Sequence, residues 1–124
     1  MSNKESNIPP TSPEALAEAV SVFGTRVVEQ LKTVYDPEIP VNIFDLGLIY
    51  KVDIAPKDNG TFDATIDMTL TTPNCPMAEQ LPEMARRAVL DTQGANEVTV
   101  NLIWDPPWDR SRMSDEARMQ LNMF

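Results

Sequence analysis

The sequence contains no histidine and only one cysteine, Cys75, among its 124 residues. Without histidine the chain cannot form a Ser-His-Asp triad or a Cys-His pair, and it offers no imidazole to a metal ion. A lone cysteine cannot form a disulfide within the chain, which favours a reducing compartment such as the cytoplasm. Any acid or base in a reaction would therefore have to be a carboxylate, a lysine, a tyrosine or the thiol itself.

Basic residues are also scarce, with 10 Lys and Arg against 19 Asp and Glu and a net charge of −9. We expect such a chain to bind neither nucleic acid, whose phosphates need basic groups, nor an anionic membrane surface. No apolar run is long enough to span a bilayer, and residues 1–7 lack the apolar segment of a signal peptide. These absences favour a cytoplasmic protein, and 42% hydrophobic residues suffice for one core.

Hydrophobic periodicity predicts an α/β fold in the order helix, strand, strand, helix, strand, short helix. The first helix should begin at Ser12 and Pro13 and end before Asp36, and Gly24 is expected to divide it. A strand–helix–strand step favours a parallel crossover, which gives a small mixed three-stranded sheet packed with helices. The predicted domain spans residues 25–124, after a tail or extension of residues 1–24. The predicted strands cover residues 47–54, 62–70 and 98–104. The second predicted helix covers residues 76–90, and a short helix is predicted from Ser114.

The second predicted helix contains a proline and a regular apolar pattern. Pro82 lacks an N–H group and should kink this helix or break it into two pieces. The spacing of apolar side chains predicts a buried stripe. Its members are Met77, Leu81, Met84, Ala85, Ala88 and Val89.

Cys75 lies where the second strand pattern gives way to the helical pattern. Pro76 is typical of the first helical position, which would put Cys75 near the N-cap, facing unpaired backbone N–H groups. Such a position favours the thiolate, which attacks electrophiles and binds soft metals. Free cysteines are more often small buried hydrophobes, so the residue pattern alone leaves both interpretations open.

A single thiolate is too few for a closed metal site, because zinc and iron–sulfur clusters usually take about four protein ligands. The remaining ligands would come from carboxylates, a small thiol, a partner protein or a second copy in a homodimer. A cofactor permanently bound in the monomer is therefore not expected. A transient site for iron, Cu(I) or an iron–sulfur cluster is chemically reasonable.

Other candidate residues each have a structural alternative. Asp36 and Glu38 flank a proline and could ligate a metal or act as bases, or could simply form a turn after the helix. Thr69 could line a pocket with its hydroxyl or merely suit the end of a strand. Trp108 could pack within the molecule or anchor a partner.

Three stretches resemble signatures of the SufT/PaaD-type iron–sulfur cluster assembly family, also known as domain of unknown function 59. The first is DPEIPVNIFDLGLIY at residues 36–50, and the second is MTLTTPNCP at residues 68–76. The third is LIWDPPW at residues 102–108, followed by an ending similar to that of the family. The resemblance covers about residues 25–124, and the three motifs occur in the family's order.

The resemblance implies an iron–sulfur cluster assembly domain fold and an accessory role in the maturation of iron–sulfur proteins, rather than an enzymatic one. It also implies that Cys75 is the functional centre and metal ligand, with Asp36, Glu38 and Thr69 as pocket neighbours. The implied partners are SUF-type assembly proteins and iron–sulfur client proteins. The WDPPW ending, and the absence of extra cysteines after it, favour the SufT branch over an accessory subunit of a phenylacetyl-CoA oxygenase. An adaptor that binds no metal and a thiol enzyme are the further alternatives.

Overall fold

The computed structural model describes residues 12–37, 39–71 and 78–121. The order of elements confirms the predicted α/β class, with short 3₁₀ helices at Ala78–Gln80 and Arg110–Arg112. The helices and strands are α1 (Pro13–Leu31), β1 (Ile49–Pro56), β2 (Phe62–Met68), α2 (Leu81–Leu90), β3 (Ala95–Leu102) and α3 (Asp115–Gln120).

The three strands form one mixed sheet, as predicted, and their order within the sheet is β1-β2-β3. β1 and β2 are antiparallel neighbours joined by a tight turn, in which the Lys57 N–H donates to the Thr61 carbonyl (2.8 Å). β2 and β3 are parallel, with α2 between them in the chain. The beginning of β1 and the ends of β2 and β3 therefore lie at the same end of the sheet. We call this the carboxyl end of the sheet and define it by Leu48, Thr69 and Ile103.

The hydrophobic core lies between one face of the sheet and helices α1 and α2, which contact each other. Alternation along β2 decides which face is buried, since Ala64, Ile66 and Met68 point into the core while the residues between them are only partly covered. Burial of each large apolar side chain contributes about 1.5–3 kcal/mol to folding. The helices contribute Phe23, Val27 and Leu31 from α1, and Leu81, Ala85 and Val89 from α2.

The prediction that Gly24 divides the first helix is wrong, because α1 runs without interruption from Pro13 to Leu31. Phe23 and Val27, on either side of the glycine, are buried in the core. Their packing outweighs the cost of about 1 kcal/mol for a glycine in a helix. Ser12 caps the helix as predicted, accepting from the Ala15 N–H (3.1 Å). The boundary between residues 24 and 25 remains a prediction.

The second helix begins later than predicted. The α-helix starts at Leu81, after the 3₁₀ turn Ala78–Gln80, and Pro82 lies in its first turn. This division into two pieces follows from the missing N–H of proline, which the first turn of a helix tolerates. Met84 was predicted to be buried but is 44% exposed. The buried residues of α2, which are Leu81, Ala85 and Val89, follow one another at intervals of four residues. Met84 lies one position before Ala85 and therefore on a different side of the helix. Met77 and the predicted start at Pro76 lie outside the described residues.

The third strand also differs from its predicted limits. β3 begins at Ala95, directly after Gly94 with its positive φ of 94°, and ends at Leu102 before Trp104. Periodicity alone predicts a later start for this strand, because the residues before Val98 do not alternate between apolar and polar. Across the described ranges, no helix combines the length and apolar character needed to cross a membrane.

Candidate functional site

Backbone hydrogen bonds join three loop segments at the carboxyl end of the sheet. The Thr69 N–H donates to the Leu48 carbonyl (2.8 Å), which ties the residue after β2 to the residue before β1. The Ile103 N–H donates to the Met68 carbonyl (2.7 Å), which ties the residue after β3 to the last residue of β2. Each of the three motifs noted in the sequence therefore contributes to this end of the sheet.

The loop before β1 holds Asp36 in a closed turn. The Asp36 N–H donates to the Val41 carbonyl (3.2 Å), and the Asp36 Oδ1 accepts from the Ile39 N–H (3.1 Å). The carboxyl group thus satisfies the backbone of its own turn, and the residue is only 6% exposed. Further along the loop, the Leu48 N–H donates to the Ile43 carbonyl (3.1 Å). This bond closes a second turn, which lies in the chain between the turn of Asp36 and the carboxyl end of the sheet.

Thr69 is the described candidate residue closest to Cys75 in the chain, and its side chain is completely buried. Its Oγ1 has no hydrogen-bond partner among the described residues. A buried hydroxyl without a partner costs about 1–3 kcal/mol, so such a group calls for an explanation. A second hydroxyl of this kind, that of Thr92, lies between α2 and β3 at the other end of the sheet.

Asn42 is a residue of the site region that the sequence analysis did not single out. Its Oδ1 accepts from the Asp45 N–H and its Nδ2 donates to the Asp45 Oδ2, both at 2.8 Å. The Asp45 carbonyl in turn accepts from the Ser114 N–H (2.8 Å). Asp45 is therefore a turn residue that also anchors the chain entering α3. The signal that could have indicated Asn42 is its spacing of three residues from Asp45, which is typical of a side chain that caps a turn.

The segment after β3 folds back over the beginning of β1. The Trp108 indole N–H donates to the Leu46 carbonyl (2.7 Å), and the Tyr50 hydroxyl donates to the Pro106 carbonyl (2.7 Å). The Arg112 guanidinium lies over the Tyr50 ring, 4.3 Å from its centroid. Trp108 thus packs within the molecule, which was the structural alternative for this residue. Trp104 is instead 46% exposed.

Gly47 makes this close approach sterically feasible. Its φ of 86° is in the region that favours glycine, and a Cβ at this position would collide with the Arg112 carbonyl group. Asp109 begins the short 3₁₀ turn that presents Arg112. The Ser111 side chain, followed by the Ser111 backbone N–H, lowers the pKa of Asp109 by donating hydrogen bonds to its carboxylate.

The predicted site residues divide into two groups. Asp36 and Thr69 are described, and both are buried on segments that lead to the carboxyl end of the sheet. Cys75 and Glu38 lie outside the described residues, as does the predicted N-cap position of Cys75. In residues 12–37, 39–71 and 78–121, no group of three or more Cys, Asp or Glu side chains is arranged to hold a metal ion.

Together, the fold and these contacts define a small α/β domain that gathers three loop segments at the carboxyl end of a mixed three-stranded sheet. A family model described as iron–sulfur cluster assembly protein matches residues 25–102. The chain therefore belongs to the iron–sulfur cluster assembly protein family.

Curated relatives extend over most of the chain. A protein of Porphyromonas gingivalis named Fe-S protein maturation auxiliary factor is 45% identical over 98 residues, which cover 79% of this chain and 90% of that protein. The Fe-S protein maturation auxiliary factor SufT of Staphylococcus aureus is 37% identical, over 73% of this chain and 98% of the relative. A protein of Mycobacterium tuberculosis named iron-sulfur cluster carrier protein is 32% identical over 73% of this chain, but the match covers only 21% of that longer protein.

A solved structure has the same fold. The crystal structure of a domain of unknown function 59 from Bacillus anthracis superimposes with a TM-score of 0.73 at 35% identity. The superposition covers 87% of this chain and 99% of the other. The predicted fold class and the predicted family are thus both confirmed.

Proposed function

We propose that this chain is an accessory factor in the maturation of iron–sulfur proteins, and that Cys75 binds iron or an iron–sulfur cluster in transit. The observation that carries the proposal is the meeting of three segments at the carboxyl end of the sheet. One of these segments leads from Thr69 toward the only cysteine of the chain. The names of the relatives support the maturation role, and the name of the longer carrier supports transient binding.

The ligand count gives the proposed site its transient character. A cluster or iron ion is the cargo, and a cysteine thiolate is the protein ligand that such cargo prefers. This chain supplies one thiolate and no imidazole, so the remaining ligands come from an assembly protein, a client, a small thiol or a second copy. A site that is completed from outside releases its cargo when the outside ligands are exchanged.

The neighbouring residues have different roles in this proposal. The O–H of Thr69 is available to donate to a thiolate or to a sulfide of the cargo, which would give this buried hydroxyl a hydrogen-bond partner. Asp36 maintains the turn that leads into the site. Glu38, two residues later, supplies a further carboxylate.

The proposed partners are SUF-type assembly proteins and iron–sulfur client proteins, and the proposed location is the cytoplasm. The protein acts without catalysing a reaction of its own. The names of the relatives favour this role over that of an accessory subunit of a phenylacetyl-CoA oxygenase. An adaptor that binds no metal remains the second candidate, since it would need the same partners but not the thiol.

Anaerobic reconstitution with ferrous iron, sulfide and a small thiol tests the proposal, with bound iron and the visible charge-transfer absorption as readouts. We expect Cys75→Ala to lose the bound iron and the absorption. Thr69→Val should lower retention of the cluster several-fold, because the donor to sulfur is gone. Thr92→Val is the matched control, since it removes a similarly buried hydroxyl at the other end of the sheet.

Equal iron binding by wild type and Cys75→Ala would contradict the proposed site. If client maturation in cells is also unchanged by Cys75→Ala, the protein acts as the metal-free adaptor. Equal effects of Thr69→Val and Thr92→Val would remove the proposed role of the Thr69 hydroxyl while leaving that of Cys75 intact.

A further inference from the structure

β3 is an edge strand whose outer side is open in the part of the chain that the structure describes. The sheet order β1-β2-β3 puts only β2 between two neighbouring strands, and α2 shares with Val98 of β3 the core on one face of the sheet. The pairing of β3 with β2 is irregular near its start and continuous from Val98 to Leu102. We call the residues 98–102 the edge segment.

The register fixes which peptide groups of the edge segment point outward. The Ile103 N–H donates to β2, and in a parallel ladder alternate residues face the same neighbour, so Thr99 and Asn101 also face β2. Val98, Val100 and Leu102 therefore direct their N–H and C=O groups away from the sheet. No backbone bond to another described residue satisfies these three residues on that side.

The other edge of the sheet carries features that hinder pairing, and the edge segment does not. β1 has the exposed charged pair Lys51 and Asp53, an irregular register at its start and Pro56 at its end. Charges, bulges and proline are the usual means by which proteins protect an edge strand. The edge segment reads Val-Thr-Val-Asn-Leu, with no charge, no proline and no bulge, and its Leu102 is 39% exposed.

We propose that the edge segment pairs antiparallel with the edge segment of a second copy of this chain, about a twofold axis at Val100. The segment is complementary to itself in this register. Thr99 lies opposite Asn101 of the second copy, and Val98 lies opposite Leu102 of the second copy, which covers the exposed leucine. A second copy fits this edge because the segment is neutral, although the whole chain carries a net charge of −9. Pairing elsewhere on the acidic surface would bring like charges together.

The proposed pairing forms a six-stranded sheet and about six backbone hydrogen bonds. A ladder of this length is smaller than a standard interface, which buries at least roughly 1,200 Å², so the dimer is weak. Antiparallel pairing places the carboxyl ends of the two sheets at opposite ends of the dimer. The second copy in this dimer therefore does not complete the site proposed for Cys75, and each copy has a separate site.

Sedimentation of the full chain at protein concentrations from about 10 μM to about 1 mM tests the pairing. Amide hydrogen exchange is measured at the lowest and at the highest of these concentrations. We expect the mass to rise toward that of two chains. At high concentration the amides of Val98, Val100 and Leu102 should become protected, whereas those of Thr99 and Asn101 should be protected throughout because they face β2. A chain that stays monomeric to about 1 mM would overturn the proposal. Protection of the three outward amides in the monomer would also overturn it, because the chain itself would then cover the edge.

Charge substitutions give the second arm of the test. The double variant Thr99→Lys with Asn101→Lys brings lysines opposite each other and should raise the dissociation constant at least about tenfold. The variant Thr99→Glu with Asn101→Glu should do the same, and an equimolar mixture of the two variants should associate again. Glu14→Gln with Glu18→Gln, on α1, raises the net charge by the same amount as the lysine variant and should leave the dimer intact. Association by the lysine variant alone would contradict the proposed interface.

Discussion

At the scale of single residues, Gly47 contributes most clearly to the shape of the site region. It lies in the turn that Asn42 and Asp45 hold together, and the Arg112 carbonyl approaches it too closely for a side chain. Trp108 and Tyr50 fasten the same two segments on either side of this contact. The glycine therefore lets the segment that follows the third motif pack against the first motif.

Substitution of the two glycines should have opposite effects. Gly47→Ala should lower the free energy of unfolding by more than about 2 kcal/mol, because alanine is strained at positive φ and collides with Arg112. Gly24→Ala should raise it by about 0.5–1 kcal/mol, since Gly24 lies within α1 with open space around it. Urea denaturation of both variants measures the two changes. A loss at Gly24 as large as that at Gly47 would contradict this explanation.

At the scale of elements, α2 owes part of its stability to a charge cluster on its exposed side. Glu83 is bound by Arg86 (2.7 Å) and by Arg87 (3.0 Å), at helical spacings of three and four residues. Hydrogen bonds from Arg86 and then from Arg87 lower the pKa of Glu83 from 4.5 to about 2. This stabilisation is present above pH 4.5 and is lost as the pH falls through 2, because the folded state holds its proton less tightly than the unfolded state.

Glu83→Gln should therefore be less stable than wild type near neutral pH, and the difference should shrink as the pH falls below 4.5 and vanish near 2. Thermal unfolding over this pH range, followed by the circular dichroism of the helices, measures the difference in stability between Glu83→Gln and wild type. Glu79→Gln serves as control, since Glu79 makes no ion pair within the described ranges. A difference that stays constant with pH would show that the charge of Glu83 does not matter.

At the scale of the whole molecule, the segment after β3 closes the structure over the loop before β1. Trp108→Phe should lower the free energy of unfolding by about 1–3 kcal/mol, because the Leu46 carbonyl loses its donor. Trp104→Phe should change it by less than about 0.5 kcal/mol, because the Trp104 side chain is half exposed. Chemical denaturation of the two variants makes this comparison. Equal losses would mean that Trp108 does not fasten the segment.

Much of the fold follows from the sequence because alternation along β2 and the apolar stripes of the helices are strong local signals. Local signals do not predict that α1 continues through Gly24, because tertiary packing decides it. They also do not predict that α2 starts at Leu81, because the geometry of Pro82 decides that start. The meeting of Leu48, Thr69 and Ile103 also depends on how the strands pair, which periodicity does not specify. The roles of Cys75, Asp36, Glu38 and Thr69 in binding remain predictions from the motifs.

In the proposed function, Cys75 supplies one ligand of a site that other molecules complete. Iron and sulfide bound per chain, measured after anaerobic reconstitution with and without an added small thiol, test this claim most directly. We expect wild type to acquire a stable cluster only when a small thiol, a partner protein or a second copy completes the site, and we expect Cys75→Ala to acquire none in any of these cases. A monomeric wild-type chain fully loaded without outside ligands, or a Cys75→Ala variant loaded like wild type, would contradict the proposed site.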